Sequence, residues 1–383
     1  MKACGVWGVL LGGALVLAAQ ACGSDGATST FDAGADAQSD APPPTFPPGD
    51  ASADGQRPCT NLCQRQVTCP GGATTSVSGV VKDPAGKVPL YNVLVYVPNA
   101  PVAPLTTGAS CDRCGDVSGE PLVTAITDAS GRFRLEDMPT GKDVPLVIQV
   151  GKWRRQIVLP NVPECVDTPL ADADVRLPRN QQEGDLPQMA IASGSADPFE
   201  CLLTKMGIDT AEFTHDTGAG RVHFYRENGV DTDPPAPQAS SLYGDLAKMK
   251  GYDIVFLPCE GSERNKSDAA DQNLVDYTAA GGRVFTTHYG YAWLHLGAPA
   301  FQGTGDWQPG QSDRYSTTLN ATVNQGFPKG AAFAEWLVNV GASQQLGTMG
   351  LVESRHDLNA APDPPSTTWM TTTEMPAPNT NAT

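Results

Sequence analysis

The sequence predicts a multidomain chain, an antiparallel β-sandwich of Greek-key type followed by a three-layer α/β domain with a mostly parallel sheet. Two contrasting stretches predict this order. Residues 74–178 contain short alternating apolar runs separated by turns with Gly or Pro, which is typical of an antiparallel sandwich. From residue 186 onward, near-continuous apolar strands alternate with longer helical stretches, as expected where helices cover both faces of a parallel sheet.

The first residues have the pattern of an export signal. Lys2 precedes an apolar run at residues 6–19 that is too short to span about 30 Å of hydrocarbon, as in the core of a signal peptide. The run ends in Leu-Ala-Ala-Gln-Ala-Cys at residues 17–22, which resembles the lipobox of bacterial lipoproteins. This resemblance implies a signal peptide at residues 1–21 and a lipid on Cys22. The alternative is ordinary secretory cleavage, which leaves Cys22 as a free thiol.

The segment after the signal peptide is predicted to be a tether. Residues 22–58 consist mainly of Ala, Asp, Pro, Ser, Thr and Gly, so they cannot bury a core and are predicted to be disordered and acidic. With a lipid on Cys22, the predicted location is the cell envelope, and the outer membrane or cell surface is favoured over the inner membrane. The membrane itself is then a predicted partner, through the lipid anchor.

The charge balance restricts the class of partner. The 25 basic and 42 acidic residues give a formal net charge of −17, which argues against a nucleic-acid partner. The turn Ser193-Gly194-Ser195 lacks the spacing of a dinucleotide-binding loop, and no cofactor is predicted. No metal site is predicted either, because no set of His, Cys or acidic residues has the spacing of metal ligands.

The ten cysteines predict a disulfide framework. Cys4 lies in the signal peptide and Cys22 at the lipidation site, and the even number that remains favours disulfides in an exported protein. The pair Cys111-x-x-Cys114 has a rival interpretation as a redox or zinc motif, but its loop lacks a strand–helix context and a neighbouring histidine. The cysteines of the first domain, whose pairing the sequence leaves open, are Cys59, Cys63, Cys69, Cys111, Cys114 and Cys165.

The first domain is predicted at residues 59–178. Alternating apolar residues predict strands at 75–81, 90–98, 123–127, 133–137, 145–150, 154–159 and 175–177. The turns between them, at 83–86, 130–131 and 140–141, each contain Gly, as such turns require.

A motif in this domain points to a family. Residues 127–135, Thr-Asp-Ala-Ser-Gly-Arg-Phe-Arg-Leu, with Met-Pro-Thr-Gly at 138–141, resemble the signature of carboxypeptidase regulatory-like domains. The resemblance covers residues 74–178 and implies a transthyretin-like, carbohydrate-binding-like sandwich. Members of this group serve as spacers, adhesive modules or accessory sugar binders, so the resemblance implies no catalytic residue.

The candidate binding residues of this domain are Trp153 and Arg155, in the cluster Lys152-Trp153-Arg154-Arg155. Because side chains alternate along a strand, Trp153 and Arg155 share one face. They form either a platform for a sugar or an acidic partner, or a packed edge of the sandwich with solvated cations. We favour the packed interpretation and keep the platform as the candidate binding site.

The α/β domain is predicted at residues 186–358. Its strands are expected at 188–193, 222–225, 254–258 and 284–288, and its first helix begins at Asp197-Pro198, where Asp197 caps the helix. A strand at 317–323 and a helix at 331–340 follow. Residues 359–383 are rich in Pro, Thr and Asn and are predicted to be a disordered tail.

Two segments of this domain resemble a second family. Residues 252–261, Tyr-Asp-Ile-Val-Phe-Leu-Pro-Cys-Glu-Gly, and residues 281–290, Gly-Gly-Arg-Val-Phe-Thr-Thr-His-Tyr-Gly, resemble the class I glutamine-amidotransferase-like superfamily, in its trehalose-utilisation-like branch. In amidotransferases the elbow after the second segment holds a nucleophilic cysteine, and His288 occupies that position here. The resemblance therefore implies the fold without amidotransfer chemistry. Domains of this type usually add another strand and helix after residue 358, so the resemblance also implies that the domain at 186–358 is incomplete.

The remaining candidate residues lie at the carboxyl edge of this sheet. Cys201, in the first helix, and Cys259, at the end of the third strand, are predicted to pair in a disulfide, which would remove Cys259 as a nucleophile. Glu260 and His288 are the candidate active-site residues, with His288 as a metal ligand or a general base. The alternative, which we favour, is a hydrogen-bonded structural histidine.

The sequence therefore predicts an exported envelope lipoprotein with a binding or adhesion role, whose sandwich takes a polysaccharide or envelope glycan. No catalytic residue is assigned, and no particular protein partner is indicated. The alternatives are a surface hydrolase acting through the α/β domain and a passive structural display module. A hydrolase requires His288 and Glu260 to converge beside a free Cys259, a binder requires an exposed aromatic patch at Trp153, and a display module requires neither.

Overall fold

The computed structural model describes residues 59–111, 117–229, 231–309, 318–352 and 357–372. The predicted signal peptide, Cys22, the tether at 22–58 and Cys114 lie outside the described residues. Among the helices of the described ranges, none is long and apolar enough to cross a membrane. A β-rich unit comes first in the chain and an α/β unit follows it.

The β-rich unit contains two sheets, with strand orders β4-β1-β7 and β3-β2-β5-β6. Val77 of the first sheet and Val95 and Ile148 of the second lie in one fully buried apolar core. Alternation of apolar and polar side chains along each strand places these residues inward. The strands are β1 (Ser76–Val80), β2 (Leu94–Pro98), β3 (Pro121–Ile126), β4 (Arg132–Leu135), β5 (Val144–Val150), β6 (Trp153–Leu159) and β7 (Asp167–Pro169).

The pairing differs from the prediction at one strand. The four-stranded sheet is antiparallel throughout, but β7 runs parallel to β1, so the unit is not wholly antiparallel. The strand predicted at 175–177 forms only an isolated bridge between Lys82 and Arg176. The polar sequence of β7, Asp-Thr-Pro, gives no alternating apolar signal, which explains why it was not predicted.

Disulfides cross-link cysteines within the β-rich unit. Cys59 pairs with Cys63, and Cys69 pairs with Cys165 across a sequence separation of 96 residues. Cys111 is also disulfide-bonded. The predicted pairing within the first domain is confirmed for Cys59, Cys63, Cys69 and Cys165.

The α/β unit is built on a five-stranded parallel sheet with the order β12-β11-β8-β10-β9. Its strands are β8 (Met189–Ser193), β9 (Phe213–Thr214), β10 (Val222–Arg226), β11 (Ile254–Leu257) and β12 (Arg283–Thr286). The prediction of a mostly parallel sheet is confirmed. β9, an edge strand of two residues, was not predicted because it is too short to show a pattern.

Helices cover the two faces of this sheet unequally. One face packs against apolar residues of α2, α3, α4, α5 and α6, whereas the other packs against α1 and Trp153 of the β-rich unit. The second helical layer of the predicted three-layer arrangement is therefore reduced to one short helix. The helices are α1 (Phe199–Lys205), α2 (Ser240–Tyr243), α3 (Leu246–Lys250), α4 (Asp268–Ala279), α5 (Ala292–His295), α6 (Pro299–Gln302) and α7 (Pro328–Asn339).

The last part of the chain contains more structure than predicted. Two antiparallel sheets have the orders β15-β14-β17 and β13-β16, so part of the segment predicted as a disordered tail, 359–383, is paired into strands. Trp369 supplies the apolar contact that orders it, with its ring 5.0 Å from that of Phe327. The strands are β13 (Asp306–Trp307), β14 (Leu319–Val323), β15 (Thr348–Leu351), β16 (Leu358–Ala360) and β17 (Met370–Thr371).

The predicted binding cluster joins the two units. Lys152 pairs with Asp253, which precedes β11, at 2.7 Å, and the guanidinium of Arg154 pairs with Asp185 at 2.9 Å. The ring of Trp153 packs against the cores of both units. These contacts place the segment between the units.

Candidate functional site

The candidate site lies at the carboxyl ends of β8 and β11, where the strand order of the sheet reverses. From β8 the sheet continues through β10 on one side and through β11 on the other. In open α/β sheets, ligands bind in the crevice at such a switch point. The loops meet there, since Ser195 Oγ donates to the carbonyl of Glu260 at 2.7 Å and the Ala196 N–H donates to that of Cys259 at 3.2 Å.

The central contact of this site joins Cys259 and His288, whose Sγ and Nδ1 atoms are 3.2 Å apart. The register of the sheet explains it. Leu257 pairs with Thr286 at the ends of β11 and β12, so each residue of the dyad lies two positions beyond a paired residue. Cys259 is fully buried, while His288 is exposed. The sheet therefore places a thiol under an imidazole at its carboxyl edge.

The predicted disulfide between Cys201 and Cys259 is wrong, because both cysteines are free. Phe199 and Leu203 of α1 are buried against the sheet, which turns Cys201, between them in sequence, outward to solvent. Cys259 instead faces inward, where the Gly261 N–H donates to its Sγ at 3.4 Å. The disulfide does not form because α1 presents Cys201 to solvent, away from Cys259, and Cys259 remains a free thiol.

The backbone of His288 is strained. Its φ of 39° lies in the left-handed region, which L residues with a Cβ adopt at a cost of about 1–2 kcal/mol. Such conformations concentrate at functional sites, where the surrounding contacts hold them in place. The turn after β12 thus holds a histidine in a strained backbone conformation.

A hydroxyl links the loops around the dyad. Thr287 Oγ1 accepts a hydrogen bond from the Cys259 N–H at 3.2 Å and donates one to Asp197 Oδ2 at 2.5 Å. Asp197 was predicted to cap α1, but the N-cap position is Pro198, with no side-chain cap. The correction follows from the competing bond to Thr287, which takes the Asp197 carboxylate.

Glu260 belongs to a neighbouring ion-pair cluster. Its carboxylate accepts from Lys266 Nζ at 2.6 Å and from Asn228 Nδ2 at 2.5 Å, and Lys266 also pairs with Glu227 at 2.7 Å. Burial raises the pKa of Glu260, while the ammonium of Lys266 acts in the opposite direction. His288 contacts Cys259, whereas Glu260 contacts Lys266. The two candidate active-site residues, His288 and Glu260, therefore do not converge on one site.

A small cavity of about 10 Å³ lies beside Lys266, between the side chains of Glu227 and Glu260 and the rings of Tyr243 and Trp293. Lys266 Nζ is 5.4 Å from the centroid of Tyr243 and 5.6 Å from that of Trp293, within cation–π range. This volume suits about one water molecule. The ion pairs of Lys266 with Glu227 and Glu260 therefore stabilise the loop that contains Cys259.

The candidate binding residues, Trp153 and Arg155, are used in contacts within the protein. Trp153 Nε1 donates to the Pro178 carbonyl at 3.0 Å, and Arg155 Nη1 donates to the Asp174 carbonyl at 3.3 Å. Trp153 is only partly exposed. These contacts fit the packed interpretation. In the described ranges, no group of three or more His, Cys, Asp or Glu side chains is arranged to hold a metal ion.

Sequence reasoning missed the contact between Cys259 and His288, although a signal for it was present. Two neighbouring parallel strands of equal length, followed by a cysteine and a histidine at equivalent positions, bring those side chains together. The assumption that an even number of cysteines all pair concealed this signal.

Comparison with known proteins does not place the chain in a family. No protein-family model matches it, and no curated protein does. Among solved structures, a type II cohesin–X-dockerin complex from Acetivibrio cellulolyticus is 16% identical, with 35% of this chain and 85% of that chain covered and a TM-score of 0.19. The dioxygenase domain of a dioxygenase carbohydrate-binding protein fusion from Streptomyces sp. SirexAA-E is 19% identical, with 46% and 92% covered and a TM-score of 0.14. At such scores these likenesses carry no argument, and the two resemblances remain predictions.

Proposed function

We propose that the α/β unit is a cysteine-dependent hydrolase, in which Cys259 is the nucleophile and His288 is the general base. The observation that carries this proposal is the 3.2 Å contact between Cys259 Sγ and His288 Nδ1, at the switch point of the sheet. An imidazole at hydrogen-bond distance takes the thiol proton and leaves a nucleophilic thiolate.

The chemistry suited to this pair is hydrolysis of an ester or amide. His288 accepts the thiol proton as Sγ bonds to the carbonyl carbon, and the imidazolium returns the proton to the leaving group. Water then attacks the thioester and gives its proton to His288, which passes it back to the sulfur as the acid leaves. Cys259 is fully buried and His288 is exposed, so a substrate would approach the thiol from the side of the His288 ring.

The proposed location is the cell envelope, with the chain anchored through a lipid on Cys22. The signal-peptide and lipobox patterns support this location. The disulfides between Cys59 and Cys63 and between Cys69 and Cys165 support it as well, because such bonds persist in oxidising compartments.

A second candidate function is glycan binding by the β-rich unit, at a surface other than Trp153. Asp167 on β7 accepts hydrogen bonds from Ser76 and Ser78 at 2.7 Å and pairs with Arg134 at 2.9 Å, on a partly exposed polar surface. Carboxylates, hydroxyls and guanidinium groups of this kind suit sugar hydroxyls. Binding to a glycan array that is lost in the variant Asp167→Ala and kept in Cys259→Ser would support this candidate.

The hydrolase proposal is tested by alkylating the folded protein with iodoacetamide at pH 7 and following Cys259 and Cys201 separately by peptide mass spectrometry. The variant His288→Asn should slow alkylation of Cys259 roughly tenfold, because it removes the base. Cys201, exposed on α1, provides the internal reference and should react at an unchanged rate. Equal rates at Cys259 in the wild type and in His288→Asn would overturn the proposal.

A further inference from the structure

A single hydroxyl fixes the backbone of both members of the dyad. Thr287 Oγ1 has one proton, which it donates to Asp197 Oδ2, so it must present a lone pair to the Cys259 N–H. The chain of hydrogen bonds crosses three loops, those that follow β8, β11 and β12. Thr287 also directly precedes His288, so displacement of Thr287 moves the histidine as well as the cysteine.

The loop after β8 holds Cys259 at a second point. The Ala196 N–H donates to the Cys259 carbonyl at 3.2 Å, and Ala196 is the neighbour of Asp197 in sequence. Gly194 lies close to the same carbonyl, where a Cβ would come within 2.3 Å of it. The N–H and the carbonyl of Cys259 are therefore both held through one loop, with Thr287 as the link to the N–H.

We propose that Thr287 and Asp197 are positioning residues for the thiol site, and that they hold Cys259 Sγ and His288 Nδ1 at hydrogen-bond distance. This inference rests on the proposed hydrolase function. Thr287 acts through the backbone of its two neighbours in the site, and Asp197 acts by orienting the Thr287 hydroxyl. Misplacement of a reacting pair by about 1 Å costs up to a hundredfold in rate, so loss of one of these hydrogen bonds should change the rate measurably.

The test compares substitutions at two adjacent threonines. Thr287→Val keeps the shape of the side chain and removes the hydroxyl, whereas Thr287→Ser keeps the hydroxyl. Thr286→Val is the matched control, because the Thr286 hydroxyl also bonds to the backbone, at the Leu257 carbonyl, but at the end of the strand. The readouts are the rate of iodoacetamide alkylation of Cys259 across pH 5 to 9, with Cys201 as reference, and the thermal midpoint.

We expect Thr287→Val to slow alkylation of Cys259 about tenfold at pH 7 and to change the pH profile of the rate. Thr287→Ser should restore the rate to within about twofold, since it retains the hydroxyl. Asp197→Ala should resemble Thr287→Val, because it removes the acceptor that orients the Thr287 hydroxyl. Thr286→Val should lower the thermal midpoint without changing the rate or the profile at Cys259.

A Thr287→Val protein whose rate and pH profile match those of Thr286→Val would overturn the inference, since the hydroxyl would then be merely structural. His288→Asn, measured in parallel, separates this failure from failure of the proposed function. If His288→Asn slows alkylation and Thr287→Val does not, only the positioning role is wrong. If His288→Asn has no effect, the hydrolase function is wrong, and the positioning role is wrong with it.

Discussion

At the scale of single residues, His288 shows how a local backbone conformation serves a site. The φ of 39° turns its side chain over the thiol of Cys259, which lies 3.2 Å from the ring nitrogen. A relaxed backbone would cost less free energy, so the contacts of the neighbouring residues, Thr287 above all, must hold the strained one. The cost of the conformation and the contact with Cys259 are therefore separable by mutation.

Replacement of His288 by Gly and by Ala separates the cost of the backbone conformation from the loss of the contact with Cys259. Both variants lack the imidazole, but only Ala has a Cβ in the left-handed region. We expect the Gly variant to be more stable than the Ala variant by about 1 kcal/mol in the free energy of unfolding, measured in urea. At an ordinary helical or extended position the order would be reversed, and that result would contradict the assignment of strain to His288.

The sequence identified the position of the residues at the carboxyl edge better than their orientation. His288 and Glu260 were predicted from their places after strands, and both lie at that edge. Their side chains diverge because Lys266, six residues beyond Glu260, attracts the carboxylate at 2.6 Å. Such a contact depends on how the loop after β11 folds back, which has no local periodic signal.

At the scale of elements, the ion-pair cluster of Glu227, Lys266 and Glu260 joins the ends of β10 and β11 to the segment before α4. Lys266 and Glu260 are largely buried, with side chains 7% and 12% exposed. Burial is the main cause of the raised pKa of Glu260. The cluster therefore makes the stability of this edge depend on pH.

The sign of this dependence follows from the direction of the shift. A carboxyl group whose pKa is higher in the folded protein than in the unfolded chain stabilises the fold below its unfolded pKa, and this contribution is lost as the pH rises through the folded pKa. The difference in thermal midpoint between Glu260→Gln and the wild type should therefore shift in favour of Gln between about pH 4 and pH 7. The same substitution at the exposed Glu136 provides the background, and a trend at Glu260 in the opposite direction would contradict the assigned cause.

Strands with long apolar runs were predicted well, and short or polar ones were not. β8 and β11 lie within one residue of their predicted bounds because their apolar side chains are buried on both faces. β7 and β9 were missed, since pairing to a neighbour and not their own sequence makes them strands. Burial by distant residues likewise ordered β17, where Trp369 meets Phe333.

At the scale of the whole molecule, the ion pair between Lys152 and Asp253 connects the two units. The side chain of Asp253 is 4% exposed, and that of Lys152 is 12% exposed. Removal of one partner from such a pair leaves an uncompensated buried charge, which is far more costly than loss of a surface pair. The contact between the units is thus sensitive to a single residue.

Lys152→Met should lower the free energy of unfolding by about 3–5 kcal/mol, because Asp253 stays buried without its cation. Lys82→Met is the control, since its partner Asp172 is 61% exposed, and it should cost at most about 1 kcal/mol. Chemical denaturation of both variants measures the difference. Equal losses in the two variants would show that the pair with Asp253 behaves as a surface contact.

The disulfide between Cys69 and Cys165 also determines how the molecule carries mechanical load. Strands β1 to β6 all lie between these two cysteines in sequence. A pulling force applied at the N-terminal side of Cys69 passes through the sulfur atoms to residue 165 and continues into β7. While the disulfide is intact, the force therefore does not pass through the chain between the two cysteines. It reaches the rest of the molecule without stretching strands β1 to β6.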